Sequence, residues 1–231
     1  MKKFFKFFAI ILLLLVSVIC FYYHANNESL PEGKQGIEAD TLASKMLEAL
    51  NYDAYENLDV LEWSFRRKHF YKWYKKEHIV AVSWDNNKVI LHTNEQEKSE
   101  VFINNIKIEN KEVLSNAIAF FNNDSFWLVA PYKVFDAGTE RRIVNYKNKD
   151  ALLITYRSGG TTPGDSYLWI LNEKFLPTSY KMWTSIIPIG GISATWSDWK
   201  NTEAGIKLPT QHKLSLFGVE ISMGEVKGYN L

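Results

Sequence analysis

The sequence predicts an α+β fold, mostly β: a curved antiparallel sheet or incomplete barrel covered by two helices, with an N-terminal export or anchor helix. Three observations predict it. Apolar and polar residues alternate with period two through most of residues 58–226, as in strands with one buried face. Two stretches, 38–51 and 111–122, instead repeat with helical period. An apolar run near the start of the chain stands apart from both.

Composition narrows the function classes. A length of 231 residues, 46% hydrophobic and 23% charged, suits one folded domain with an appendage and excludes wholesale disorder. A lone cysteine, Cys20, excludes an intrachain disulfide framework and a cysteine zinc cluster. A net charge of +1 lacks the basic surplus of a nucleic-acid binder, so no nucleic-acid partner is expected.

The chain opens with Lys2, Lys3 and Lys6, followed by an apolar run over residues 7–23 broken only by Ser17. As a helix this run spans roughly 26 Å, just short of a hydrocarbon core of ~30 Å. Basic residues ahead of an apolar core fit a secretory signal or a membrane anchor, with the lysines cytoplasmic. The rest is then exported, to the periplasm or the periplasmic face of the inner membrane. The run exceeds the ~7–15 residues of a signal core, and bulky Tyr23 lies two positions before the candidate cleavage residue Ala25. Both favour an anchor through residues 7–23. Ile19 replaces the small residue that lipoprotein signals place before a lipidated cysteine, so Cys20 reads as a membrane-buried thiol.

Residues 24–37, polar with Pro31, Gly33 and Gly36, read as a linker. The expected organisation is residues 1–23 as signal or anchor, 24–37 as linker and 38–231 as a single domain. Leaving out residues 1–36 removes four lysines and two glutamates, and the remaining 23 basic and 24 acidic residues give −1. The slight positive charge belongs to the targeting segment.

Within the domain, Ala43, Met46, Leu47 and Leu50 form one helical face. Strands follow: residues 58–66, with Leu61, Trp63 and Phe65 on one side, then 69–75, 79–84 and 88–93 around the turn Asp85-Asn86-Asn87, and 101–108. Asn110 caps a second helix over 111–122, whose face is Val113, Leu114, Ala117, Ile118 and Phe121. Strands are then expected at 126–130, 141–146, 151–157, 166–171, 178–186, 193–199, 207–216 and 219–226. Turn residues separate them at 8–12-residue spacing, the pattern of one large antiparallel sheet.

A curved sheet of about ten strands has a concave face too wide for its own side chains to fill. The two helices would cover it as a lid. Trp63, Trp73, Trp127, Trp169, Trp183 and Trp196 fall on different predicted strands; any one of them fits ordinary core packing, and as a set they would line a lipophilic interior. Residues 158–165, rich in glycine, read as a mobile hairpin tip or as a rim loop at a cavity mouth, with Arg157 and Asp165 as polar partners of a ligand head group. Arg66-Arg67-Lys68 reads as a solvated strand end or as a contact for anionic lipid head groups.

Reaction chemistry finds little support. His24, His69, His78, His92 and His212 contain no i, i+4 pair and no H-E-x-x-H. His69 and His78 flank a predicted hairpin and could meet across it, but two histidines fall short of a ligand set. The glycine-rich loop lacks G-K-[ST] and precedes a strand, and no nucleophile elbow is present. No catalytic residue, metal or cofactor is expected, so the chain is not read as an enzyme.

One stretch carries a family resemblance. The apolar strand Tyr167-Leu168-Trp169-Ile170-Leu171 ends at Asn172, and Leu176-Pro177 opens a return strand through Tyr180 and Trp183. This resembles a hairpin of the periplasmic lipoprotein-carrier superfamily (LolA-like), with Asn172 in place of the usual Asp. The order helix, strands, helix, strands behind an export signal is similar too. The segments at 124–136 and 159–165 look like a branch of that superfamily apart from the carriers themselves. The resemblance implies an incomplete antiparallel barrel closed by helices. It also implies a non-catalytic envelope domain binding a hydrophobic ligand, a lipid acyl chain or lipoprotein, on its concave face. The alternative is an envelope protein–protein interaction or sensor module without a small ligand.

Overall fold

The period-two segments fold as two antiparallel meanders in the computed structural model, which describes residues 2–158 and 162–231. The N-terminal helix α1 (Lys2–Asn26) is long and apolar enough to cross a membrane. Then come α2 (Ile37–Leu50), one short turn α3 (Tyr52–Glu56), and β1 (Val60–Phe65), β2 (His69–Tyr74), β3 (Ile79–Trp84), β4 (Asn87–His92), β5 (Glu100–Ile103) and β6 (Ile106–Ile108). Helix α4 (Lys111–Val129) leads to β7 (Thr139–Tyr146), β8 (Lys149–Tyr156), β9 (Ser166–Leu171), β10 (Pro177–Trp183) and β11 (Ile192–Thr195). The C-terminal part holds β12 (Lys200–Asn201), β13 (Lys207–Leu208), β14 (Gln211–Lys213), β15 (Glu220–Ser222) and β16 (Lys227–Tyr229).

Strands β1 to β6 pair in chain order, and β16 returns to pair with β1, giving a seven-stranded sheet. Strands β7 to β11 form a second sheet of five. Both are curved, antiparallel and unclosed. The hydrogen-bonded ladder is therefore divided, where the spacing predicts one sheet: α4 interrupts the meander after β6, and β7 starts anew. Tight turns set the registers. Asn104-Asn105 and Lys147-Asn148 hold positive φ at both residues, as two-residue hairpins with right-handed twist require. Arg66-Arg67 does the same at the β1–β2 turn, where the basic triplet is exposed.

Several boundaries differ from expectation for physical reasons. Asn110 caps α4 by accepting from the Val113 amide at 3.0 Å, but the helix runs on to Val129. Residues 126–130, expected as a strand, are its last turn and the start of a 3₁₀ turn. A short apolar run has no period of its own, and Leu128 continues the buried face of Ala117 and Phe121. The expected strand 207–216 breaks at Pro209, which has no amide to donate. Strand β16 was not expected, being only three residues long.

One continuous core joins the inner faces of both sheets to α2 and α4. Its largest fully buried side chains include Trp169, Tyr132, Tyr180 and Met46. A second, smaller cluster lies on the outer face of the five-stranded sheet: Ala151, Leu153 and Leu168, with Val144, Tyr146 and Trp183 against them. It explains why residues 151–155 of β8 are buried on both faces.

Residues 27–34, expected as linker, cover that outer cluster. Glu28 donates its amide to the Gly190 carbonyl at 2.9 Å, and its own carbonyl accepts the Trp183 indole N–H at 2.8 Å. Its carboxylate pairs with Lys181. Farther on, the Glu32 carbonyl accepts from Arg142 at 2.9 Å, and Lys34 exchanges two backbone hydrogen bonds with Ile143, at 2.9 and 2.8 Å. The path from β10 to β7 is three strand spacings, roughly 14 Å, and six extended residues reach about 20 Å. Gly33 passes so close that a Cβ would lie 2.8 Å from Val144 Cγ2. This strap ties the end of α1 directly to the β-sheet.

Candidate functional site

Beneath α4, between that helix and the inner face of the five-stranded sheet, lies a cavity of about 440 Å³. That falls in the range of small-ligand sites. Helix α4 supplies Phe121, Phe126, Trp127 and Val129, and the strands supply Tyr156, Tyr167, Tyr180 and Met182. These tyrosines sit on β8, β9 and β10 at inward positions of adjacent strands, so period two brings them together. Phe126 fits among them, 4.4 Å from the Tyr167 ring centroid and 6.3 Å edge-on to Tyr156. A larger groove of about 1,040 Å³ lies between α2, the strap and the β9–β10 turn, but it is open and lined by charged residues including Lys45, Lys149 and Glu173.

Helix α4 forms the roof alone, since α2 contributes no lining residue. A polar clamp fastens it. Asp124 is buried on its inner face and accepts from the Tyr71 hydroxyl at 2.6 Å, with His69 Nδ1 at 2.7 Å on the same oxygen. The other oxygen accepts the Asn123 side chain at 2.8 Å. His69 also stacks on Phe120 at 4.0 Å. Burial, together with the Asp124 charge, pushes the Tyr71 hydroxyl far above its ordinary pKa, so it stays a donor. His69 and His78 lie at opposite ends of β2 and do not meet. Among the described residues, no group of three or more His, Cys, Asp or Glu is placed to hold a metal ion.

The cavity is apolar but not uniformly so. Trp73 Nε1, Tyr180 OH and Thr184 Oγ1 are buried in its lining and have no hydrogen-bond partner among the described residues. Burial drives the Tyr180 hydroxyl well above its usual pKa, so it is a neutral donor across the physiological range. Buried polar groups are normally paired, so this wall suits a ligand that brings an acceptor. At the mouth, Asp165 takes the Thr162 hydroxyl at 2.6 Å and the Ser185 amide at 2.9 Å, which fixes the loop after β10.

The expected site residues separate into three groups. Trp73, Trp127 and Asp165 line the cavity. Trp63, Trp169 and Trp196 are buried core, with Trp63 stacked on Tyr71 at 4.5 Å and Trp169 against Trp196 at 5.3 Å. Trp183 faces outward under the strap, and exposed Arg157 pairs with Glu140 at 2.7 Å. Neither of these two lines the cavity. Trp127 sits on a helix rather than on a strand. Of the expected rim loop, Gly159, Gly160 and Thr161 lie outside the described residues, while Ser158 and Thr162 border the cavity.

Comparison with known proteins adds fold neighbours. No family model matches the chain, and no curated protein matches it by sequence. Among solved structures, a DUF1329 family protein from Desulfovibrio piger aligns over 82% of this chain and 91% of its own, at 10% identity and a TM-score of 0.41. A proposed outer membrane lipoprotein-sorting protein domain from Vibrio parahaemolyticus aligns over 81% and 94%, at 6% identity and 0.39. Neither likeness carries a functional argument; the cavity does.

Proposed function

We propose that this chain is a non-catalytic cell-envelope domain that binds a hydrophobic ligand, a lipid acyl chain or the acyl part of a lipoprotein, in the cavity under α4. Residues 1–23 direct it to the inner membrane, and residues 38–231 form the exported binding domain on the periplasmic side. The observation that carries this reading is the cavity wall itself: Phe126, Trp127, Tyr156, Tyr167 and Met182 around about 440 Å³, with donors on Trp73 and Tyr180 that have no partner among the described residues. Burial of an alkyl chain contributes about 0.8 kcal/mol per methylene before association costs. The hydroxyl and indole donors suit an ester, amide or carboxyl oxygen at one end of that chain. Trp73, Trp127 and Asp165 are the residues proposed to meet the ligand, and Tyr167 and Tyr180 join them.

Native mass spectrometry of the full chain, released from mild detergent, tests this. The expected result is one acyl-bearing lipid retained per chain, with a lower melting temperature after its extraction. A chain that carries none, and whose melting is indifferent to added acyl lipids, overturns the proposal.

A further inference from the structure

The end of α1, the start of the strap and the cavity mouth meet at the β10–β11 loop. Asn27 follows α1 directly, and its side chain accepts the Gly190 amide at 2.7 Å. Glu28 then locks onto Gly190 and Trp183. Gly190 belongs to the β10–β11 loop, which also supplies Thr184, Ile186 and Ile187 to the cavity. A second hollow of about 440 Å³ joins Asn27 and Glu28 to Asp165, Thr184 and Ile187, which border the cavity too. No free spacer therefore separates the apolar helix from the mouth.

The same end of the molecule exposes its apolar side chains. Ile186 is 71% exposed, Phe217 84% and Val219 38%. Phe217 occupies the tip of the β14–β15 turn with φ +55°, followed by Gly218 at +62°. Such a turn favours Asn or Gly, and an aromatic residue there is strained. Strain kept at an exposed tip calls for a functional explanation. Tyr22, near the end of α1, stacks on Phe217 with ring centroids 6.3 Å apart. Tyr22 and Tyr23 close the apolar run of α1, the place where a spanning helix carries its interfacial aromatics. Phe217 therefore sits at the depth of the head groups when α1 spans a bilayer.

We propose that α1 is retained and that the tip formed by Ile186, Phe217 and Val219 docks on the outer face of the membrane that α1 spans, so that the cavity opens onto lipid. The strap fixes this orientation. Two short loops carrying one aromatic and two aliphatic side chains enter the interface alongside the tyrosines of α1, while the body of the sheets stays in water. The docking stands on α1, the strap and the tip; only the further step, that the ligand enters from the bilayer, rests on the cavity's role proposed above.

The test uses the full chain in lipid nanodiscs, in a Cys20→Ser background. A single cysteine is introduced by Ile186→Cys, Phe217→Cys or, as reference, Glu97→Cys, which lies on the exposed turn between β4 and β5. Each is labelled with an environment-sensitive fluorophore, and nanodiscs containing spin-labelled lipid serve as quencher. Labels at 186 and 217 should emit to the blue and lose most of their emission to the quencher, while the label at 97 loses none. Labels at 186 and 217 as water-exposed as that at 97 would overturn the proposal. So would labels that shift to the blue without lipid quenching, the mark of a protein partner on the tip. Recovery from cells of a chain lacking α1 would overturn it as well. Quenching with no retained acyl lipid would leave the docking standing and defeat the cavity's role; retained lipid with unquenched labels would do the reverse.

Discussion

Two tyrosines of similar burial should respond to the same substitution with opposite signs. The Tyr132 hydroxyl donates towards the Leu50 and Lys207 carbonyls at 2.9 and 2.6 Å and accepts the Lys207 amide at 3.1 Å. It joins α2 to β13. Tyr132→Phe leaves those backbone groups unpaired, at a cost of about 1–3 kcal/mol. For a chain of this size that is a fall in melting temperature of roughly 2–12 °C. Tyr180 is equally buried, yet its hydroxyl has no partner among the described residues. Tyr180→Phe should leave the lipid-extracted chain unchanged or raise its melting by about 2–4 °C per kcal/mol relieved. With acyl lipid bound, the same change removes a ligand hydrogen bond worth about 0.5–1.5 kcal/mol net, weakening affinity roughly 2–12-fold. Calorimetry on extracted and reloaded protein measures both quantities. If extracted Tyr180→Phe melts as far below the parent as Tyr132→Phe does, the Tyr180 hydroxyl is structural and the reasoning about the cavity wall fails.

Three further outcomes follow from the same geometry. Asp124→Ala strands the Tyr71 hydroxyl and His69 in the interior and should cost about 2–4 kcal/mol by denaturant titration; Asp124→Asn, which still accepts from Tyr71, should cost clearly less, and equal losses would contradict the clamp. Burial holds His212 at about 4, below the ordinary 6.5, while its Nδ1–H donates to the Thr195 carbonyl at 2.8 Å. The unfolded chain therefore takes up that proton first, and about 3 kcal/mol of stability present above pH ~6.5 is lost as pH falls towards ~4; the stability–pH curve of His212→Asn should lack this segment. A Cβ on Gly190 would lie 2.5 Å from Trp183 Cδ1 and 2.6 Å from the Glu28 carbonyl oxygen, so Gly190→Ala should release the strap and speed tryptic cleavage after Lys34, and an unchanged cleavage rate would mean that the strap is held elsewhere.

Much of the fold was legible because period two and period 3.6 are written directly into side-chain alternation. The β3–β4 turn at Asp85-Asn86 and the Asn110 cap declared themselves by residue type, whereas the turn at Asn104-Asn105 fell inside one expected strand over 101–108 and that at Arg66-Arg67 read as a strand end. What escaped depends on partners distant in sequence. The run at 126–130 is too short to have a period, and only the core decides that it closes a helix. Buried Asp124 had a local signal: it continues the stripe of Ala117 and Phe121 and precedes Leu128, a charge on an apolar face. The tryptophans drew attention by size, yet three of them fill core. The inward tyrosines 156, 167 and 180, one on each of three adjacent strands, surround the cavity. Polar composition made residues 27–34 read as linker, because backbone hydrogen bonds to β7 and to the β10–β11 loop leave no mark on side-chain pattern.

The proposed site places an acyl chain between α4 and the inward tyrosines. The most direct measurement is photo-crosslinking of the full chain with a lipid carrying a diazirine on its acyl chain, followed by peptide mapping. Adducts on Phe126, Trp127, Tyr167 or Met182, competed away by unlabelled lipid, are the predicted result. Adducts confined to α1, with the cavity residues unmarked, would contradict it.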